Sequence, residues 1–255
     1  MLKKGCVDNR VILVDRGGNI VWQYGQFGVT GFGPNELNTP VQNTYLPNGN
    51  ILITDQGNQR IIEVRPADGA IVWQYGENGV PGIGFNQLNN PNSAELLANR
   101  NILIADENNN RAIEVTHDTA HQIVATFSDH GHVSGCAFAS RLANGNTLLT
   151  DSNNSRIVEV DSHDNKVWEY FTNTRPGSNP APLPTRAARL MHGNTLISDQ
   201  FNDQVIEVDV SKAIVASYGV INDPGFNPQT AIQLNGPYSA YVIGDYTGLT
   251  NPLGP

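Results

Sequence analysis

Charge is scarce in this chain: Asp, Glu, Lys and Arg make up 15% of its 255 residues, against about a quarter in typical globular domains. There are two cysteines, Cys6 and Cys136, too few for a disulfide framework, so cysteine usage leaves the redox compartment open. No apolar run approaches the ~20 residues of a membrane-spanning helix, and Met1-Leu-Lys-Lys4 is not followed by the apolar stretch of a secretory leader. Basic residues are the scarcer sign, 15 against 24 acidic ones, for a net charge of −9. Nucleic acid and anionic membrane surfaces want a basic footprint, and both are excluded as expected partners. What the chain has in quantity is Gly and Pro, 25 and 15 residues, beside an apolar fraction of 39%. That composition describes a turn-rich folded chain, long enough to bury a core without disulfide or metal support.

The chain also has a strong internal repeat. The run Asn50-Ile-Leu-Ile-Thr-Asp55, then Arg60-Ile-Ile-Glu-Val64, then Ile71-Val-Trp-Gln-Tyr-Gly76 recurs along its length. The middle piece returns as Arg10-Val-Ile-Leu-Val14, Arg111-Ala-Ile-Glu-Val115, Arg156-Ile-Val-Glu-Val160 and Gln204-Val-Ile-Glu-Val208. Its central residues, Ile12, Ile62, Ile113, Val158 and Ile206, are spaced by 50, 51, 45 and 48. Short β-branched runs separated by Asn-Gly and Asp-Gly signals are strands and hairpins. One unit reads as four strands, Pro40–Leu46, Asn50–Thr54, Arg60–Val64 and Ile71–Tyr75. Four antiparallel strands at this period predict an all-β chain, a single β-propeller domain over residues 1–255 with four-stranded blades. Five blades are expected, with six as the alternative. Gln233-Leu-Asn-Gly-Pro-Tyr-Ser-Ala240 matches Gln87-Leu-Asn-Asn-Pro-Asn-Ser-Ala94, so the two chain ends are expected to complete one blade and close the ring.

The Gly-rich linkers Tyr24-Gly-Gln-Phe-Gly-Val-Thr-Gly-Phe-Gly-Pro-Asn-Glu-Leu-Asn-Thr-Pro40 and Tyr75-Gly-Glu-Asn-Gly-Val-Pro-Gly-Ile-Gly-Phe-Asn-Gln-Leu-Asn-Asn-Pro91 resemble the spacers of NHL-repeat β-propellers. The Asn-Gly-Asn, Asp-x-x-Asn-x-Arg and Val-Trp-x-Tyr pieces also resemble repeats of arylsulfotransferase-like and quinoprotein-like propellers. The resemblance covers nearly the whole chain and is specific for fold. It implies lyases, hydrolases and binding scaffolds alike, a functional site on the face carrying the spacers, and an extracytoplasmic or secreted setting.

Residues present in every repeat serve the blade. Asp55, Asp106, Asp151 and Asp199 each precede Arg60, Arg111, Arg156 and Gln204 by five positions, the spacing of an Asx-turn with an ion pair. Trp22, Trp73 and Trp168 share one column and are expected between blades. Glu63, Glu114, Glu159 and Glu207 share another and are likewise structural. Cys6 and Cys136 fall on blades that are not neighbours, so no disulfide is expected, and Cys136 reads as a buried, inert thiol.

Residues that break the repeat on the inner strands carry the functional expectation. They are Gln42, Asn92, Glu95, Phe138, Arg141, Arg186, Arg189, Tyr238 and Tyr241. Glu95 with three arginines predicts an anion-recognising cluster, weighed against an ion network filling the channel. His117, His121, His163 and His192 fall in turns of the opposite face, leaving His130 and His132, in the short spacer Ser128–Gly135, on the site face. With Asp129 they are the only candidates for a metal. No metal site and no cofactor is predicted, and a divalent ion stays open as an alternative. The leading expectation is a monomeric, non-catalytic propeller binding a small molecule, glycan or peptide. A lyase or hydrolase is the alternative, with His130, His132 or Tyr238 moving a proton, and a protein–protein scaffold is the third reading.

Overall fold

A computed structural model describes residues 8–225 and 232–245. The β-branched runs of the repeat form the strands, because Val, Ile and Thr suit a pleated, half-buried surface. The first sheet pairs β1 (Arg10–Val14) with β2 (Ile20–Gly25). The next four are four-stranded: β3 (Pro40–Tyr45), β4 (Ile51–Asp55), β5 (Arg60–Arg65) and β6 (Ala70–Tyr75); then β7 (Pro91–Leu96), β8 (Ile102–Asp106), β9 (Arg111–Val115) and β10 (Ile123–Phe127). The last two hold β11 (Cys136–Arg141), β12 (Thr147–Asp151), β13 (Arg156–Val160) and β14 (Lys166–Phe171), and β15 (Arg186–Arg189), β16 (Thr195–Asp199), β17 (Gln204–Val208) and β18 (Ile214–Tyr218). Strands within a sheet follow chain order, as an antiparallel meander requires. Burial follows position. The second strands β4, β8, β12 and β16 are buried along their whole length, while the outermost expose pairs such as Ile71 and Val72.

The chain falls into two compact units, the first taking in the described residues up to 109 together with 114–124, the second residues 110–113 and the described chain from 125 onward. In the first, Val11, Tyr24, Leu37, Ile53, Ile62 and Val64 form a core against Trp22. In the second, Leu142, Leu148, Ile157, Ile197, Ile206 and Val208 do the same against Trp168.

The tryptophan column lies between sheets, as expected. Trp22 Nε1 donates to the Pro66 carbonyl, Trp73 Nε1 to that of Asp118 and Trp168 Nε1 to that of Val210, at 3.2, 3.2 and 3.3 Å. A second set of cross-links comes from left-handed residues ahead of the third strands. Asn9 Oδ1 accepts the Thr39 N–H, Gln59 Oε1 that of Asn90, Asn110 Oδ1 that of Gly135 and Asp203 Oδ1 that of Gly236.

That last bond locates the C-terminal segment. Residues 233–240, expected as an inner strand, form no strand among the described residues, yet they make the contacts of one. Gly225 N–H donates to Leu234 O as Gly31 does to Leu37 and Gly82 to Leu88. Leu234 and Ala240 pack on Leu190, Leu196 and Val205. The closure expected of the two chain ends also involves residues 1–7 and 246–255, which lie outside the described residues, as does Cys6. Cys136 is buried, its Sγ 3.8 Å from the Phe138 carbonyl oxygen.

Candidate functional site

The repeated acids are occupied in building the sheets. Asp55, fully buried, takes the Asn38 N–H on Oδ1 at 2.7 Å, and Arg60 Nε and Asn58 Nδ2 on Oδ2, both at 2.7 Å. Asp151 repeats this with Ser134, Arg156 and Asn154. Burial pushes the Asp55 carboxyl up against these bonds. The glutamate column clamps the turn between first and second strands. Glu63 accepts from Asn48 and Asn50, Glu114 from Asn99 and Asn101, Glu159 from Asn144 and Asn146, and Glu207 from Asn194 and His192. This explains the Asn-Gly-Asn motif.

One exception to the repeat stands out chemically. The Arg186 guanidinium lies over the Phe138 ring and over the Tyr241 ring, 4.1 Å from each centroid, and its NH1 donates to Ser239 Oγ at 3.2 Å. β11 supplies Phe138 and β15 supplies Arg186. Tyr241 and Ser239 come from the C-terminal segment, held by the bond from Thr185 Oγ1 to the Tyr238 carbonyl at 2.7 Å. The guanidinium is planar by its own bonding, and contact with two aromatic rings leaves its fork of N–H donors the geometry that meets a carboxylate or sulfate edge-on. Arg186 itself is 7% exposed, whereas Tyr238 and Tyr241 are exposed and edge the site with aromatic surface.

The other two arginines have different surroundings. Arg189 NH2 bonds Glu159 Oε2 at 2.8 Å, its Nε bonds Thr195 Oγ1, and its guanidinium lies over Trp168. Arg141 copies it, with Nε on Thr147 Oγ1 and the guanidinium over Phe127. Both are a partial repeat at the far end of the inner strand from Arg186. In the first unit, Gln42 Oε1 accepts the Ala94 N–H at 2.8 Å, tying two sheets together. Glu95 is half-buried on β7. Asn92 Nδ2 and Asn90 Nδ2 each donate to Glu107 Oε2 at 3.0 Å. Burial pushes the Glu107 carboxyl up, with the two amides opposing. Sequence reasoning passed over Glu107, although it is the one acid in a column otherwise filled by Gln56, Ser152 and Gln200.

The spacer histidines separate. His132 Nδ1 sits 2.5 Å from the Asp129 carbonyl, whereas His130 Nε2 contacts Asn165 Oδ1 in the turn between β13 and β14. His130 therefore leaves the face assigned to it, because Asp164 in that turn accepts the backbone N–H groups of Ser128, Asp129 and His130 and draws the short spacer onto it. The Asp129 carboxylate is taken by Arg156 at 2.9 Å. His130, His132 and Asp129 do not converge, and among the described residues no group of three or more His, Cys, Asp or Glu side chains is placed to hold a metal. His132 and Asp129 do line a cavity of about 460 Å³ with Arg156, Lys166 and Phe171. A cavity of about 360 Å³ opens at the equivalent Arg60, so this hollow belongs to the repeat.

Four-stranded meanders joined from the outermost strand of one to the innermost of the next define a β-propeller, and solved structures bear this out. The chain is similar to virginiamycin B lyase from Staphylococcus aureus, at 17% identity and a TM-score of 0.59 over 84% of this chain and 64% of that one. A streptogramin B lyase gives 16% identity and 0.59 over 84% and 62%, and a protein of unknown function from Bacteroides caccae 15% and 0.58 over 85% and 70%. This chain thus spans less than two thirds of the length of either lyase. At these identities the likeness is one of fold. No protein-family model and no curated protein matches the chain.

Proposed function

We propose that this is a non-catalytic, monomeric propeller that binds a small molecule, glycan or peptide through an anionic group, carboxylate or sulfate, at Arg186. The observation that carries this is the guanidinium in contact with both the Phe138 and Tyr241 rings beside exposed tyrosines. Other inner strands hold Gln42, Ser93 and Phe138 in that column, so the blade itself does not require a cation there. The Gly-rich spacers keep the NHL-repeat likeness as part of the proposal. The test is a panel of carboxylated and sulfated glycans and peptides with neutral counterparts, followed by calorimetry on the ligand found. Arg186→Ala is expected to weaken binding by ~1.5–3 kcal/mol, the scale of a hydrogen bond to a charged group. Arg186→Lys, which keeps charge and loses the fork, is expected to fall between. If Arg186→Ala unfolds the protein and Arg186→Lys rescues it, the arginine is an internal clamp on residues 238–241 and the proposal fails.

The similarity to streptogramin B lyases favours one second reading, a lyase in which Arg186 holds a substrate anion and His132 or Tyr238 moves a proton. Incubation with virginiamycin B and mass spectrometry of the products separates the two readings, since a binding protein returns the compound unchanged.

A further inference from the structure

The last four-stranded sheet departs from the carboxylate–arginine pattern at three linked positions. Gln204 stands where β5 and β13 begin with Arg60 and Arg156. The missing guanidinium arrives instead from Arg175, in the spacer between β14 and β15: its NH2 donates to Asp199 Oδ2, and its NH1 to Gln204 Oε1 at 2.7 Å. The third change is Pro182. Its carbonyl accepts the Phe201 N–H as the Asn38, Asn89 and Ser134 carbonyls accept those of Gly57, Asn108 and Asn153, so the four residues are equivalent. Asn38, Asn89 and Ser134 also donate their own N–H groups to Oδ1 of Asp55, Asp106 and Asp151 at 2.7, 2.8 and 2.7 Å. Proline has no N–H to give. Asp199, fully buried, is left with an Oδ1 that takes no backbone N–H and makes no well-formed hydrogen bond among the described residues, only the Thr172 hydroxyl lying close to the carboxyl, and Arg175 Nε has no partner there either.

We propose that residues 172–184 form a proton-controlled strap, closed over Asp199 when Oδ1 carries a proton and loosened when the carboxylate is ionised. The proton comes from solvent and bonds to Oδ1, and no other covalent bond changes. An ionised carboxylate with one oxygen buried and unbonded carries a desolvation cost that either a proton or an admitted water removes. The groups facing Asp199 are Arg175 and Thr172 from the strap, the Tyr170 hydroxyl from β14, Asn202 from the turn after β16 and Gln204 from β17. Arg175 is the cation of this set. With Asn202 and the Thr172 hydroxyl it favours the ionised form, yet burial outweighs them and the carboxyl is pushed up from 3.8 to about 6.

The direction follows from linkage. A closed strap holds the carboxyl near 6, and an open one returns it to its ordinary value in water. The closed form therefore binds the proton more tightly, so opening is suppressed in acid and rises as pH climbs toward 6 before levelling. None of this depends on a ligand at Arg186.

Hydrogen exchange of the backbone amides of residues 173–181 in the full chain, corrected for the intrinsic rate, reads the opening directly. Between about pH 4.5 and about pH 6 the opening equilibrium is expected to rise about tenfold per pH unit, the slope of one linked proton, and then to level. Pro182→Ala restores the donor and is expected to move the pH at which opening levels downward, though not to the ordinary carboxylate value, since burial raises Asp55 even with that donor in place. A pH-independent opening in the unsubstituted protein, or an unchanged levelling pH in Pro182→Ala, overturns the strap. Should Pro182→Ala fail to fold, a carbon-13 titration of the Asp199 carboxyl in the unsubstituted protein decides: a midpoint above about 5 supports the strap, and one at or below it, in the ordinary carboxylate range, overturns it.

Discussion

His117 Nε2 lies 2.6 Å from Glu63 Oε2, so an imidazole from the turn after β9 reaches back to a glutamate of the preceding sheet. That glutamate already holds Asn48 and Asn50. One side chain thus ties its own hairpin and its neighbour's turn together.

The contact has a consequence in acid. Burial raises the Glu63 carboxyl, but the bonds from His117, Asn50 and Asn48 outweigh it and bring the group from 4.5 down to about 2. Its folded value lies below its unfolded one, so its stabilisation is complete above 4.5 and drains away as pH falls toward 2. Glu63→Gln is expected to cost about 2–3 kcal/mol near neutral pH and to flatten the acid limb of the stability curve. Urea denaturation at stepped pH checks this; parallel losses in both proteins would show that the bond contributes nothing.

Arg156 bonds Asp151, Asp129 and Glu169 from within a buried position. Arg156→Ala leaves those carboxylates uncompensated and is expected to lose about 3–5 kcal/mol. Arg156→Gln copies the residue found at 204 but has no counterpart of Arg175 to restore the charge, so it is expected to lose nearly as much. A Gln variant as stable as the parent in chemical denaturation would contradict the reading of Arg175 as a substitute guanidinium.

Gly76 closes β6 with φ +106°, and a Cβ there would sit 2.2 Å from the Gln59 carbonyl oxygen. Gly25 and Gly219 face Asn9 O and Asp203 O in the same way. Gly76→Ala is expected to cost at least about 2 kcal/mol, because backbone must move. At Gly69 a Cβ meets nothing within 4 Å, and Gly69→Ala, which strains only φ, is expected to cost about 1 kcal/mol. Equal melting temperatures for the two variants would remove the close-approach explanation.

The sheets were legible because each is spelled by β-branched runs and turn residues that repeat. Arg186 was legible for the opposite reason, as a lone cation in its column. Arg141 and Arg189 share a column and a role on the following Thr, and their pairing could have been read as structural by the same rule that spared Arg186. Glu107 could have been found as the lone acid beside Asp106. Other features were beyond reading. Arg175 replaces a strand arginine from a spacer with no counterpart in the repeat, and His130 follows Asp164, a contact that only folding creates. Residues 233–240 carry the inner-strand motif and make its cross-sheet contacts without forming a strand among the described residues.

The left-handed latches all point one way along the chain. Asn9 waits for Thr39, Gln59 for Asn90, Asn110 for Gly135 and Asp203 for Gly236. As the polypeptide leaves the ribosome, each of these four sheets is therefore made before the backbone that satisfies its latch. After each of these sheets the nascent chain carries one unanswered acceptor, and answers it by being extended. Translation and consolidation run in the same direction, and a chain released before Gly236 ends with Asp203 still open.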